Sequence, residues 1–182
     1  MPFSPRTLGN ADFTLPLDRK KRIPLWNEES AALLPPTRAG LIALDSAKGH
    51  AQPGSVLAVP TGGWCATSSI NYPVPMWSDQ FRAEAFAQSG TGAVAQVALV
   101  WSDDSAQNIL RVDTGPEVNV AEWRRVTMPA AAPPEGAKTV RVALIARGGP
   151  LNFDDADLVA EPPQTPTVRV LTNQAGYGER DP

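Results

Sequence analysis

The chain has 182 residues, a formal net charge of −3, and hydrophobic residues at 42% of positions. That length suits one domain of ordinary size with a tail, and the apolar fraction is enough for a single buried core. The Lys and Arg residues form no stripe of the kind a nucleic-acid surface needs, and no apolar run approaches the roughly 20 residues of a membrane span.

Nineteen prolines and fourteen glycines favour a loop-rich β fold over a helical bundle. The single cysteine, Cys65, cannot form an intrachain disulfide and reads as a small buried hydrophobe. The Met1-Pro2-Phe3-Ser4 start lacks the charged and apolar regions of a signal peptide. The basic run Arg19-Lys20-Lys21-Arg22 precedes Pro24 and reads as a solvated loop.

In chain order, a short helical turn is expected near residues 28–34, ended by Pro35 and Pro36. Gly54 to Val59 reads as a strand. Phe81 to Ser89 alternates, with Phe81, Ala83, Ala85 and Ala87 on one face and Arg82, Glu84, Phe86 and Gln88 on the other. Val94 to Ser102 repeats the pattern: Val97, Leu99 and Trp101 share one face. After the turn Asp103-Asp104-Ser105 comes a strand at Asn108 to Val112. Thr139 to Arg147 sets Val140, Val142 and Leu144 against Arg141 and Arg147. Short strands separated by turn signals predict a sandwich or barrel.

The segment Glu161-Pro162-Pro163-Gln164-Thr165-Pro166 reads as an extended, Pro-rich linker. The domains are therefore read as 1–160 for the sandwich, 161–167 for the linker, and 168–182 for the first strand of a following domain that is cut short.

A set of ordered elements carries a family resemblance. They are Gly9-Asn10-Ala11-Asp12-Phe13, Phe81-Arg82-Ala83-Glu84-Ala85, Val97-x-Leu99-x-Trp101-x-Asp103, Trp123-Arg124-Arg125-Val126, the run from Pro133 to Val142, and Asn152-Phe153-Asp154-Asp155-Ala156-Asp157-Leu158. Over about residues 8 to 160 the chain resembles the jelly-roll carbohydrate-binding modules of the family 4, 9 and 22 kind, in the galactose-binding-like superfamily. Separately, Asn173-Gln174-Ala175-Gly176-Tyr177 resembles the opening of the immunoglobulin-like domain that precedes family 9 glycoside hydrolase catalytic domains.

The resemblance implies an all-β jelly-roll sandwich without catalytic residues. It also implies a secreted, monomeric module that binds a polysaccharide such as β-glucan and serves a cellulase-like glycoside hydrolase following it in the parent chain. Such modules often carry a structural calcium. Asp12, Asp154 and Asp155 are the candidate ligands, because calcium takes carboxylate and carbonyl oxygens. The Glu that usually follows the opening Phe is here Thr14, a departure from the calcium pattern.

Sugar recognition needs flat rings for the C–H faces of pyranoses and polar side chains for their hydroxyls. Trp64, Tyr72 and Trp77 stand among turn residues and are the candidate stacking platforms; the alternative is that they cap the core. Trp26, after Pro24, is expected to line the same edge. Trp101 and Trp123 read as structural. Arg82, Glu84, Gln96 and Arg141, with Gln88 and Arg147, point away from the predicted core. They could bond sugar hydroxyls, or pair across strands as an ordinary solvated face.

Catalysis is not indicated. His50 is the single histidine and sits in a predicted loop. There is no nucleophile elbow, zinc-ligand spacing or phosphate loop, and adjacent Asp103 and Asp104 read as turn chemistry. Two other readings stay open: a structural accessory domain that packs on its catalytic partner without binding sugar, and a stand-alone lyase or hydrolase on this scaffold.

Overall fold

A computed structural model describes residues 8–28, 40–75, 78–106 and 108–161. The readings of a helical turn at 28–34, of the linker and of the following domain therefore lie wholly or almost wholly outside the described residues, as does Trp77.

Among the described residues twelve strands form two antiparallel sheets. The first sheet runs β1 (Trp26–Glu28), β4 (Trp64–Ser69), β11 (Thr139–Arg147), β7 (Val94–Ser102) and β8 (Ile109–Thr114). Short β5 (Tyr72–Pro73) joins β11 and short β9 (Val118–Asn119) joins β7. The second sheet runs β10 (Arg124–Thr127), β6 (Gln80–Gln88), β12 (Leu151–Glu161), β3 (Ser55–Pro60) and β2 (Gly40–Asp45). The chain is an all-β sandwich of jelly-roll architecture.

Alternation decides which side chains meet between the sheets. In β6 the inward residues Phe81, Ala83, Ala85 and Ala87 are buried, while the outward ones are only partly so. Alanines on β6 bring the second sheet close, and larger groups from β7 and β11 fill the space opposite: Val97, Leu99, Trp101, Val142 and Leu144. The Trp101 ring meets Phe81 edge-on, centroids 5.4 Å apart. Its indole N–H donates to the Asp113 carboxylate at 2.7 Å, so the buried polar atom is satisfied. Cys65 is buried among these apolar groups, as expected.

The predicted strands at Val94 to Ser102 and Thr139 to Arg147 fall where the alternation placed them. The strand expected at Gly54 to Val59 begins and ends one residue later. β4 was not read as a strand at all. Trp64-Cys65-Ala66-Thr67-Ser68-Ser69 is too small and polar to look like one, yet all six residues are buried. It lies between β1 and β11, so neighbours on both sides supply its backbone hydrogen bonds.

Candidate functional site

The first sheet buries both of its faces. Facing away from the second sheet, Trp64, Ala66, Ala98, Val100, Ala143 and Ile145 form a second apolar cluster, with Ile109 and Val112 packed against it. The registers Ala66↔Ile145, Ala98↔Ala143 and Val100↔Arg141 make this one continuous outer surface across β4, β11 and β7. Its floor is therefore mostly alanine and valine.

Polar groups rise from that floor. Gln96, opposite Ile145, is 7% exposed. Its amide N–H donates to the Gly115 carbonyl at 2.8 Å, while its Oε1 is buried with no hydrogen-bond partner. Arg141, opposite Val100, is 9% exposed and lies 3.4 Å from both Asn71 Oδ1 and Ser102 Oγ. Four strand positions separate the two registers, about 14 Å along the sheet. At the margin, Arg147 Nε stands 3.1 Å from a Glu117 carboxylate oxygen. The charges pair there, but the alignment does not make a hydrogen bond.

Gln96 and Arg141 thus come together on one face, as the alternation suggested. Trp64, Tyr72 and Trp26, the candidate rings among the described residues, do not form an open platform. Trp64 belongs to this outer cluster but is 3% exposed, because it is a strand residue and not a loop residue, so it presents no open ring face. Tyr72 packs against the core on the opposite side of the sheet, and its hydroxyl accepts the Gly9 N–H at 2.8 Å. Trp26 is a core residue at 3% exposure. Its ring lies 5.0 Å from Phe13, and its N–H donates to the Asn10 carbonyl at 3.2 Å.

No protein-family model matches the sequence, and no curated protein matches it. Solved structures do match. The enzymatically active domain of bacteriophage CBA120 tailspike protein 4 superposes with a TM-score of 0.56 at 10% identity, over 86% of this chain and 21% of that one. The CBM22-1–GH10 modules of a Clostridium thermocellum endo-1,4-β-D-xylanase, solved with xylohexaose, give 0.59 at 11% identity, over 83% and 28%. The chain spans well under half the length of these two proteins. The CBM22-2 xylan-binding domain of a Paenibacillus barcinonensis protein gives 0.57 at 14% identity, over 83% of this chain and 98% of that one.

The fold is that of the jelly-roll carbohydrate-binding modules. Family 61 and family 4 modules share it as well. At these identities the likeness is one of fold, and site residues do not transfer with it.

In this jelly roll Arg82 and Glu84 stand on the outer face of the second sheet, away from Gln96 and Arg141. Alternation tells which residues point outward but not from which sheet. Arg82 pairs with Glu84 at 2.5 Å and with Glu161 at 3.2 Å, and Arg125 pairs with Glu84 as well. The Arg82–Glu84 pair runs along β6, while the other two cross to β12 and β10.

The three acids proposed for calcium do not gather. Among the described residues no three His, Cys, Asp or Glu side chains are placed to hold a metal. The Asp12 carboxylate accepts from Thr14 and, at 3.4 Å, from Gln52. Asp154 accepts the His50 N–H at 2.6 Å and the Asp155 N–H at 2.7 Å. Asp155 meets the His50 imidazole Nδ1 at 2.9 Å. Protein donors already occupy the carboxylates that the ion would need, so this set does not fit calcium.

His50 is the residue that the sequence reading missed. The loop between β2 and β3 carries it over the second sheet, where its ring stacks on Phe86 with centroids 3.6 Å apart and meets Trp123 edge-on. Burial pushes the Asp154 carboxyl up to about 6, against the two amide hydrogen bonds that favour its charged form. The signal available in sequence was the lone histidine in a Gly-flanked loop together with two adjacent acids on the closing strand.

Proposed function

We propose that this chain is a non-catalytic carbohydrate-binding module, and that its ligand sits on the outer face of the first sheet. In this reading it belongs to a secreted parent protein and holds a following glycoside hydrolase, cellulase-like, near a polysaccharide such as β-glucan. Tethering makes the second encounter intramolecular, so the gain is effective concentration.

The observation that carries the reading is Gln96. A buried acceptor without a donor costs about 1–3 kcal/mol, and in this reading the side chain turns outward to take that donor from a ligand hydroxyl. Arg141 stands on the same face, four strand positions away. The fold agrees: of the matched modules, one is a xylan-binding domain and another is solved in complex with β-1,4-galactotriose.

Affinity electrophoresis and calorimetry on β-glucan, xylan, β-1,4-galactan, chitin and acidic polysaccharides test it. Binding to at least one is expected, with Gln96→Ala weakening it about tenfold while the unfolding midpoint is retained. A folded protein that binds none of them overturns the reading.

One observation favours a structural accessory domain instead. Trp26 and Trp64 are buried and Tyr72 uses its hydroxyl internally, so none of these three rings is a free platform. That reading predicts no sugar binding but measurable association with the catalytic domain of the parent chain.

A further inference from the structure

A cavity of about 460 Å³ opens between the two sheets, at the edge where β1 and β2 run. Ile42 and Leu44 of β2 form one wall, and Ile23, Trp26 and Thr67 form the other. Leu17 and Leu41 also line it, at 42% and 57% exposure, so apolar surface continues from the cavity out to solvent. Large exposed apolar groups beside a cavity mark an interaction site more than a stable free surface.

Among the described residues β2 pairs only with β3. Its other side, Leu41-Ile42-Ala43-Leu44, has no strand paired to it among the described residues, so the backbone N–H and C=O groups of alternate residues there have no ladder partner among them. Such an edge accepts an added strand, whose main chain supplies the hydrogen bonds and whose alternate side chains enter neighbouring pockets.

The basic run sits at the same place. It is held in a built turn: Asp18 Oδ1 accepts the N–H groups of Lys20 and Arg22 at 2.8 and 2.9 Å, and the Asp18 N–H donates to the Arg22 carbonyl at 2.9 Å. Asp18 neutralises Arg22 at 2.9 Å. Lys21 lines the cavity, and neither it nor Arg19 or Lys20 has an acidic partner among the described residues. The rim is thus cationic while the interior is apolar.

We propose that this edge docks an extended segment of a partner protein with alternating acidic and apolar residues, added to the second sheet alongside β2. Apolar side chains enter the cavity beside Ile42 and Leu44. Carboxylates meet Lys20 and Lys21. A sugar does not suit the interior, because its hydroxyls would lose water without gaining partners. The inference does not depend on carbohydrate binding, which was placed on the outer face of the first sheet.

Titration of the ¹⁵N-labelled chain with the peptide acetyl-Asp-Val-Glu-Val-Asp-Val-Glu-amide tests it. Amide shifts are expected at residues 40–45 and 19–22, and none at Gln96 or Arg141. The double variant Lys20→Glu, Lys21→Glu, altered only at exposed positions, should weaken the peptide at least about tenfold, as should high salt. The proposal is overturned by no shift at about 1 mM peptide. It is overturned equally by shifts elsewhere, by a Lys-substituted peptide binding as well, or by laurate filling the cavity while the peptide does not bind. A parallel titration with xylohexaose reads the sugar site separately, so either proposal can fail alone.

Discussion

Asp154 is a buried carboxylate whose hydrogen bonds come from two backbone amides, those of His50 and Asp155. Burial raises it from 3.8 to about 6, so the folded state holds its proton more tightly than the unfolded state does. Its contribution to stability is therefore complete below about pH 4 and is lost as pH rises through about 6. Asp18 and Asp103, lowered by hydrogen bonds from Arg22 and from Ser105, act in the opposite sense. The diagnostic is therefore the difference between wild type and Asp154→Asn. Urea midpoints at pH 4, 5, 6 and 7 should fall less steeply in the variant, and identical slopes would remove Asp154 from the account. At the same scale, Glu84→Ala should cost under about 1 kcal/mol in a thermal melt, because its ion pairs with Arg82 and Arg125 lie on an outer, partly solvated face.

At the level of elements, β4 and β2 show how local pattern and context part company. Alternation of large apolar with polar residues made β6, β7 and β11 legible. β4 has one large side chain, Trp64, followed by small ones, and the nearby Gly62 and Gly63 read as a loop. It is a strand because β1 and β11 flank it, and its small residues let the chain pack closely on both sides. Gly40, opening β2, shows how close the approach is: an added Cβ would lie 2.6 Å from the Val59 carbonyl oxygen and 2.6 Å from Cys65 Cβ. Gly40→Ala should therefore destabilise by about 1–3 kcal/mol, read as a lowered urea midpoint at unchanged slope. A variant as stable as wild type would mean that β2 and β4 can separate at no cost.

For the whole molecule, the core between the sheets is the main source of stability. Phe153, fully buried on β12 between β6 and β3, joins the centre of the second sheet to that core. Phe153→Ala should cost about 3–5 kcal/mol, measured by chemical denaturation. A metal held by Asp12, Asp154 and Asp155 should contribute nothing. Because His50 and neighbouring amides occupy the candidate carboxylates, calcium chloride and EDTA should leave the thermal midpoint unchanged, whereas an ion bound far above its dissociation constant would raise it by several degrees.

By itself the sequence determined the class of fold, the inward faces of β6, β7 and β11, and the structural role of Trp101, because a two-residue period carries that information locally. Gln96 and Arg141 were legible as outward residues for the same reason. The tertiary structure alone decided which outward residues share a sheet, which separated Arg82 and Glu84 from Gln96 and Arg141. It also decided that Trp26 and Trp64 are buried, that Tyr72 holds the N-terminal segment, and that His50 takes the carboxylates proposed for calcium. Those outcomes depend on contacts between residues far apart in the chain, such as His50 with Asp155, and no local pattern encodes them.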